Sequence, residues 1–304
     1  MSARLIAVAM IATATLVPAV ASAKSIEEKD VVSGKTKLDP TSGYIMISAS
    51  ERQMGMFIRV PDADSWRDYE ADRLKAFTKA QKRYPAQLAD WKAKADYARQ
   101  ARSTVPEQPE EPRLDRFTID PIELRETESF GPMYVYSKAP AITYLNSVKP
   151  GTWIWYGPIM MAANGASVGS CNCMGTVKFE VKPGVVTDLG NSLTELPQWN
   201  SQKDVAQLTL DEMNAKRAAS GRAPLKSLIT GQLRYGAPPS LAAWPVVKAE
   251  LQASGKLNNY YGLTISRVAP IPGILAYRRD VIIDSRTGLD IESPTIMSRA
   301  KIKK

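Results

Sequence analysis

Two cysteines separated by a single residue, Cys171 and Cys173, are the only cysteines in a chain of 304 residues that contains no histidine. In an oxidising compartment such a pair is expected to form a disulfide. On a flat strand, residues i and i+2 lie about 6.6 Å apart, which is the upper edge of disulfide geometry. The bridge therefore requires a bend in the chain, and two buried thiols are the alternative structural interpretation.

Soft sulfur ligands surround this pair, because Met174 follows Cys173 directly and Met160 and Met161 lie close by in the sequence. Thiolates and thioethers together select Cu(I). Cys171, Cys173 and Met174 are therefore candidate metal ligands, and copper is the one cofactor that the sequence suggests. Thiol–disulfide exchange at the same two cysteines is a third possibility.

Most other catalytic chemistry lacks its usual residues. Without histidine, the chain has no Ser-His-Asp triad, Cys-His pair, HExxH zinc site or imidazole pH switch. Asp280 and Asp284 would lie on one face of a predicted strand about 13 Å apart, whereas glycosidase carboxylates are about 5–9.5 Å apart. Ser167, Ser170 and Asp188 would need a lysine as their base. We therefore expect a non-catalytic protein with no catalytic residues.

The first 23 residues have the pattern of a secretory signal peptide. Arg4 supplies a positive charge, Leu5 to Val20 is mostly apolar, and Ala21-Ser22-Ala23 is a cleavage site. An uncleaved anchor is the alternative. The pattern predicts a periplasmic or secreted protein that is cleaved after Ala23. Its formal charge of +9 favours anionic envelope components over nucleic acid as partners.

Composition divides the rest of the chain into five segments. The sequence predicts an N-terminal segment with the first strands (24–63), a helical arm (64–103), a Pro-rich linker (104–116), a β-sandwich with short helices (117–290) and a basic tail (291–304). We expect the tail, which contains Arg299, Lys301, Lys303 and Lys304, to be solvated.

The arm is defined by aromatic residues at helical spacing. Phe77, Tyr84 and Trp91 recur every seven residues, and Trp66, Leu74, Leu88, Ala95 and Ala98 lie close to the same stripe. Pro85 interrupts the pattern, so we predict a long kinked helix or a helical hairpin. The stripe either packs within the protein, as in a helix pair, or docks another envelope protein or an anionic envelope component.

The β signal is strongest at Thr176–Lys182, where Val177, Phe179 and Val181 alternate with polar residues. Pro183-Gly184 is predicted to turn the chain so that 185–190 pairs back with this strand as a hairpin.

Further patterns complete the predicted fold. Trp153-Ile154-Trp155-Tyr156 is apolar on both faces, which favours a buried strand over a sugar-stacking platform. A capping box at Thr209 predicts a helix over Leu210–Ala219, and Pro245–Ser254 is predicted to form a second short helix. The predicted fold class is mainly β, and α+β overall: an antiparallel β-sandwich with an inserted long helix or helical hairpin and two short helices.

The stretch from Lys149-Pro150-Gly151-Thr152-Trp153 through residues 175–184 to Asp188-Leu189-Gly190-Asn191 resembles the "PGxY … FxVxxGxxxYLG" pattern of small bacterial envelope proteins of the DUF2846 type. This resemblance covers about 40 residues and consists of turns and alternating strands. It implies an exported, β-sandwich-like, non-enzymatic protein, and it transfers no functional residue.

Overall fold

The computed structural model of this chain describes residues 24–162, 166–195, 205–224 and 233–293. The predicted signal peptide and the basic tail from residue 294 onward lie outside the described residues. Within the described residues, no helix combines the length and the apolar character that crossing a membrane requires.

The described chain contains three α-helices and sixteen strands, with 3₁₀ turns at Ile122–Leu124 and Pro239–Leu241. The helices are α1 (Glu28–Val32), α2 (Ala63–Gln100) and α3 (Val205–Ala219). The strands are β1 (Lys24–Ser25), β2 (Gly43–Ala49), β3 (Gly55–Arg59), β4 (Thr127–Phe130), β5 (Ile142–Val148), β6 (Gly151–Gly157), β7 (Ile159–Met161), β8 (Ser167–Cys171), β9 (Thr176–Val181), β10 (Val186–Asp188), β11 (Val246–Lys248), β12 (Gln252–Ser254), β13 (Thr264–Ile265), β14 (Leu275–Arg278), β15 (Val281–Asp284) and β16 (Leu289–Asp290).

Two five-stranded sheets form the body of the fold. The first has the order β1-β5-β2-β10-β11 and is mixed, because β10 runs parallel to both β2 and β11. The second, with the order β12-β9-β6-β3-β4, is antiparallel throughout. Two three-stranded sheets, β13-β8-β7 and β14-β15-β16, complete the mainly β, α+β architecture that the sequence predicts.

The main hydrophobic core lies between the two large sheets, as in a β-sandwich. Ile45 and Ile47 of the first sheet pack in one cluster with Phe57, Trp155 and Phe179 of the second. The ring centroids of Phe57 lie 5.1 Å from Trp155 and 5.6 Å from Phe179. The alternation of Val177, Phe179 and Val181 is confirmed, since all three side chains are buried in this cluster.

Both large sheets are also covered on their outer faces. Tyr44 and Met46 of β2 belong to a second cluster, and Met56, Ile58 and Tyr156 belong to a third. This double burial explains why β2 and β3 are buried at every residue. It also confirms that the Trp153–Tyr156 strand is packed on both sides, with its two tryptophans turned into the main core.

The predicted hairpin after Gly184 is wrong. Strand β10 pairs with β2 and β11 of the first sheet, whereas β9 pairs with β6 and β12 of the second. Gly184, which has a φ of +68°, donates a backbone hydrogen bond to the Ser42 carbonyl and directs the chain across the sandwich. Because both edges of β9 are occupied, a returning strand has no free backbone with which to pair.

The predicted helix over Pro245–Ser254 is also wrong, because this segment forms β11 and β12. Val247 and Leu251 have helical spacing, but so short a pattern does not separate helix from strand. The open edges of β10 and β9 each recruit one of these strands. The helix over Leu210–Ala219 is confirmed, although it begins at Val205, so Thr209 lies inside it rather than at its cap.

Candidate functional site in the arm

The helix α2 and the segment that follows it form an insertion in a β-hairpin. Strands β3 and β4 are antiparallel neighbours, with Ile58 opposite Thr127, and the chain between them leaves and returns at the sheet edge. The sequence predicts a helical arm over residues 64–103; from here on, we use the name arm for the whole insertion, residues 63–121. Its first part, α2, is one continuous helix of 38 residues. Of the two predicted alternatives, the long helix is therefore confirmed and the helical hairpin is not formed.

The helix passes through Pro85 without ending. A proline in a helix interior removes one backbone hydrogen bond and costs about 3 kcal/mol. Pro85 and Gln81, whose carbonyl loses its helical donor, are both exposed. Water can therefore hydrate that carbonyl, which lowers the cost of continuing the helix.

The Pro-rich segment, residues 104–117, runs back along α2. We call it the return strand, although it pairs with none of the described β-strands. Trp91 Nε1 donates a hydrogen bond of 2.9 Å to the Pro106 carbonyl, and Arg73 Nη1 donates to the Leu114 carbonyl at 3.0 Å. Between Trp91 and Arg73 the helix covers about 27 Å. Eight residues of extended, polyproline-like chain from Pro106 to Leu114 cover about 25 Å. The two elements therefore match in length and lie antiparallel.

The aromatic stripe of α2 faces this return strand. Phe77 contacts Phe117 with ring centroids 5.5 Å apart, and Ala95 and Ala98 are buried. Tyr84, Leu88 and Trp91 are half-buried on the same face. Trp66 and Leu74, also assigned to the stripe, are about half exposed (50% and 47%). The expectation that the stripe packs within the protein is confirmed, but its partner is an extended strand and not a second helix.

The arm contributes nothing to the hydrophobic cores. None of the three core clusters among the described residues contains a side chain from residues 63–121. The arm is thus a separate two-element unit, and its attachment to the sandwich depends on the polar contacts at its base.

Arg59, the last residue of β3, organises the base of the arm. Its guanidinium group is 8% exposed and donates to Asp62 at 2.6 Å, to Glu126 at 2.6 Å and to the Pro150 carbonyl at 2.9 Å. Asp62 also caps α2, because its carboxylate accepts a hydrogen bond of 2.8 Å from the Ser65 backbone. The strand that enters the arm and the chain that leaves it are therefore joined through one buried cation.

The carboxylates at the base are held in their charged form. Hydrogen bonds from Ser65 and Arg59 lower the pKa of Asp62 well below its usual range. Burial alone would raise the pKa of Glu126, but hydrogen bonds and charge attraction from Lys149 and Arg59 lower it overall. A polar cleft of about 180 Å³ lies here, lined by Arg59, Pro61, Ser65, Asp68, Ile122, Arg125, Glu126 and Lys149. The charged side chains of both signs that line this cleft are already paired, and these ion pairs brace the arm.

A second brace lies further along α2, at Tyr69 and Asp72. Arg125, which follows the 3₁₀ turn, donates to Asp72 at 2.7 Å and lies 6.0 Å from the ring centroid of Tyr69. Arg73 also donates to the Phe117 carbonyl at 3.1 Å. The contacts of Ser65 with Arg59 and of Asp72 with Arg125, about two turns apart, therefore fix the direction of the helix relative to the sheet.

The outer face of α2, opposite the return strand, carries lysines. Lys75, Lys79 and Lys82 are exposed and follow each other at spacings of four and three residues, with Arg83 beside them. None of these four cations forms an ion pair with another described residue. Asp72, one turn before Lys75, and Asp90, about two turns after Lys82, are paired with Arg125 and Lys94.

The two cysteines are bonded to each other and are completely buried. Their Cα atoms are 5.1 Å apart, less than the roughly 6.6 Å of a flat strand, so the chain bends as the predicted disulfide requires. The pair packs against Met56, Ile58 and Tyr156 in the third cluster. The disulfide is therefore part of a hydrophobic cluster of the fold.

The copper site stays a prediction. With the sulfurs bonded to each other, Cys171 and Cys173 offer no thiolate ligands until the bridge is reduced. Met174 is half-buried directly after the pair. In the part of the chain that the structure describes, no cluster of three or more Cys, Asp or Glu side chains forms a potential metal site.

The other candidate residues lie apart from the arm. Asp284 ends β15 and pairs with Arg286 at 2.9 Å, while Asp280 lies in the turn before that strand. Arg278, on the neighbouring strand β14, binds Asp290 at 2.7 Å. Asp188 is buried and accepts backbone hydrogen bonds from Gly190 and Gly236. Ser167 donates to the Met161 sulfur.

Sequence reasoning missed both the return strand and the role of Arg59. Pro106, Pro109 and Pro112 recur every three residues, which is the repeat of a polyproline helix. That spacing, next to an aromatic helical stripe, was a usable signal for the return strand. Arg59 has no comparable local signal, because its partner Glu126 lies 67 residues away.

Shortening the arm is expected to leave the sandwich intact. The variant removes residues 75–112 and joins Leu74 to Arg113 through a Gly-Ser-Gly-Ser linker, which keeps the contacts of Arg59 and Arg73. Because no core cluster includes arm residues, the thermal unfolding midpoint should change by less than about 2 °C. Circular dichroism measures both this midpoint and the lost helix signal. A midpoint lower by more than about 5 °C would show that the arm supports the core.

Comparisons with protein families, with curated proteins and with solved structures find no match to this chain. The resemblance to the DUF2846 type therefore stays a prediction.

Proposed function

We propose that this is an exported, non-catalytic envelope protein whose arm is its binding element. The observation that carries the proposal is the arm itself: a 38-residue helix braced at its base and absent from every core cluster among the described residues. A helix with no role in the core and a fixed direction is suited to reaching a partner. That partner is another envelope protein or an anionic envelope component.

Two further observations support export and binding. The buried disulfide is typical of proteins that fold in an oxidising compartment such as the periplasm or the extracellular space. The described carboxyl groups with raised pKa values, Glu128 and Asp188, are buried and hydrogen-bonded within the sandwich rather than placed in an open cleft. These two groups therefore have partners within the sandwich.

Co-sedimentation with an isolated bacterial envelope fraction tests the proposal. The mature chain, from residue 24 onward, should sediment with the envelope at low salt. The shortened-arm variant should bind at least about tenfold more weakly, because it keeps the sandwich but lacks most of the arm. Equal binding by the two proteins would remove the arm as the binding element. Failure of both proteins to sediment would contradict the proposal as a whole.

A further inference from the structure

We infer that the outer face of α2 binds a linear polyanion through Lys75, Lys79 and Lys82. This inference rests on the proposed function of the arm and names the chemistry of its partner. The ligand class is an extended polymer with regularly spaced phosphate or carboxylate groups. A segment of two or three such groups would lie along the helix axis.

The geometry of the three lysines is that of a line of charge. Seven residues separate Lys75 from Lys82, so the array covers about 10 Å along the helix, with roughly one charge per turn. Arg83 adds a fourth cation at the side of Lys79 and Lys82. A lysine ammonium is a flexible point charge, which suits attraction to a chain of anions more than geometric recognition of one group.

The charge of this face is not neutralised within the described chain. None of Lys75, Lys79 and Lys82 forms an ion pair with a described residue, whereas four other cations of α2, Arg67, Arg73, Lys94 and Arg99, do. Examples are Lys94 with Asp90 at 2.6 Å and Arg99 with Asp96 at 2.6 Å. The acidic residues of the return strand, Glu107, Glu110 and Glu111, follow the opposite face of the helix. The array is therefore available to an external anion.

A bilayer fits this face less well than a polymer chain does. The short side chains of Ala71, Thr78 and Ala86 lie between and beside the lysines, so the array itself has no large apolar group that would insert among lipids, and the exposed Tyr97 on this face lies about 22 Å beyond Lys82. Asp72 lies one turn before Lys75, and Asp90 lies about two turns after Lys82. A flat anionic surface would contact these acids as well as the lysines, whereas a polymer segment can contact the lysines alone.

Pairing of two arms through this face is also disfavoured. If two copies lay antiparallel about the centre of the array, the lysines of one would face the lysines of the other. Like charges at that distance repel, and the flanking aspartates are already paired within their own chain. The face therefore favours a partner of opposite charge over a second copy of this chain.

The test compares the mature chain with the K75Q/K79Q/K82Q variant in binding to inorganic polyphosphate. The three substitutions lie on an exposed helix face and keep helix propensity, so the variant should fold normally. Binding at low salt should weaken at least about tenfold, and the slope of log K against log salt should become shallower by about 2. The matched control, K37Q/K138Q/K182Q, removes the same charge from exposed lysines outside the arm and should bind as the unmodified chain does.

Two comparisons make the outcome decisive. Equal loss of binding in both triple variants would show a net-charge effect and overturn the inference. Binding to phosphatidylglycerol–phosphatidylcholine vesicles, but not to polyphosphate, would assign the face to a membrane instead. The envelope assay separates this inference from the proposed function. If the K75Q/K79Q/K82Q variant sediments fully while the shortened-arm variant does not, the inference is refuted and the proposed function still stands.

Discussion

Replacing Glu128 with glutamine is expected to stabilise the protein at pH 8 by about 3 kcal/mol, while changing its stability little at pH 4. Glu128 lies on β4, is 6% exposed and accepts a hydrogen bond from Asn146 on β5 of the other sheet. Burial raises its pKa to about 7, and the hydrogen bond from Asn146 lowers it only in part. Above neutral pH the folded protein therefore holds a buried carboxylate.

The sign follows from the two protonation equilibria. The unfolded chain ionises this group near its ordinary pKa of 4.5, and the folded chain near 7. Stability from the protonated carboxyl is therefore fully present below about pH 4.5 and is lost as the pH rises through 7. The difference between a pKa of 4.5 in the unfolded chain and about 7 in the folded chain corresponds to about 3 kcal/mol. Glutamine is neutral at every pH, so the E128Q variant does not undergo this loss.

Urea denaturation of both proteins at pH 4 and pH 8 measures the effect. The difference in the free energy of unfolding between E128Q and the parent should grow by about 3 kcal/mol over this interval. The matched control is E180Q, which changes an exposed glutamate on β9 of the same sheet. A gap between E128Q and the parent that stays constant with pH would show that Glu128 titrates in the same way in both states.

Local patterns predicted the parts of the fold that local physics determines. The alternation of Val177, Phe179 and Val181 marks β9 because a strand between a core and solvent must alternate. The run from 64 to 103 is read as helix because it lacks glycine and carries a periodic stripe. The bend at the cysteines follows from the reach of two side chains two residues apart.

Pairings between distant segments could not be predicted in this way. The residues of β10 and the valine before it fit any half-buried strand, and nothing in them selects β2, which lies about 140 residues earlier, over the adjacent β9. The same limit applies to Val246–Lys248, where the free edge of β10 decides between strand and helix. Several segments that are distant in sequence could pair with each open strand edge, and which of them does so depends on the rest of the assembled sheet.

The candidate site was predicted only in part for the same reason. The periodic stripe of the arm and its basic character are visible in the sequence, so the arm was a candidate interaction element from the start. The direction of the arm depends on Arg59, Glu126 and Lys149, which come together only when β3, β4 and the turn before β6 are in place. From the sequence alone, a single arginine at the end of a strand could equally be a buried residue that joins two segments or an exposed surface charge.

The second large effect concerns the buried contacts of Arg59 at the base of the arm. Replacing Arg59 with methionine should destabilise the protein by about 3 kcal/mol. Methionine fills much of the volume of the arginine side chain, so the loss is mainly electrostatic. Glu126, whose side chain is 19% exposed, loses its buried partner, and the Pro150 carbonyl loses its donor. Asp62 is half exposed and keeps its bond to Ser65. The expected loss of stability is therefore at the lower end of the range for variants that break a buried ion pair.

R125M is the matched control, because Arg125 binds Asp72 at the same base but is 33% exposed. Urea denaturation should show a loss below about 1 kcal/mol for this variant. Amide hydrogen exchange separates the two roles further. In R59M the Ser65 and Val60 amides, which bond to Asp62 and to the Thr152 carbonyl, should exchange faster, since the helix start is no longer held to the sheet. Equal stability of R59M and R125M, with unchanged exchange at these amides, would mean that the arm is held by its other contacts and that Arg59 does not set its direction.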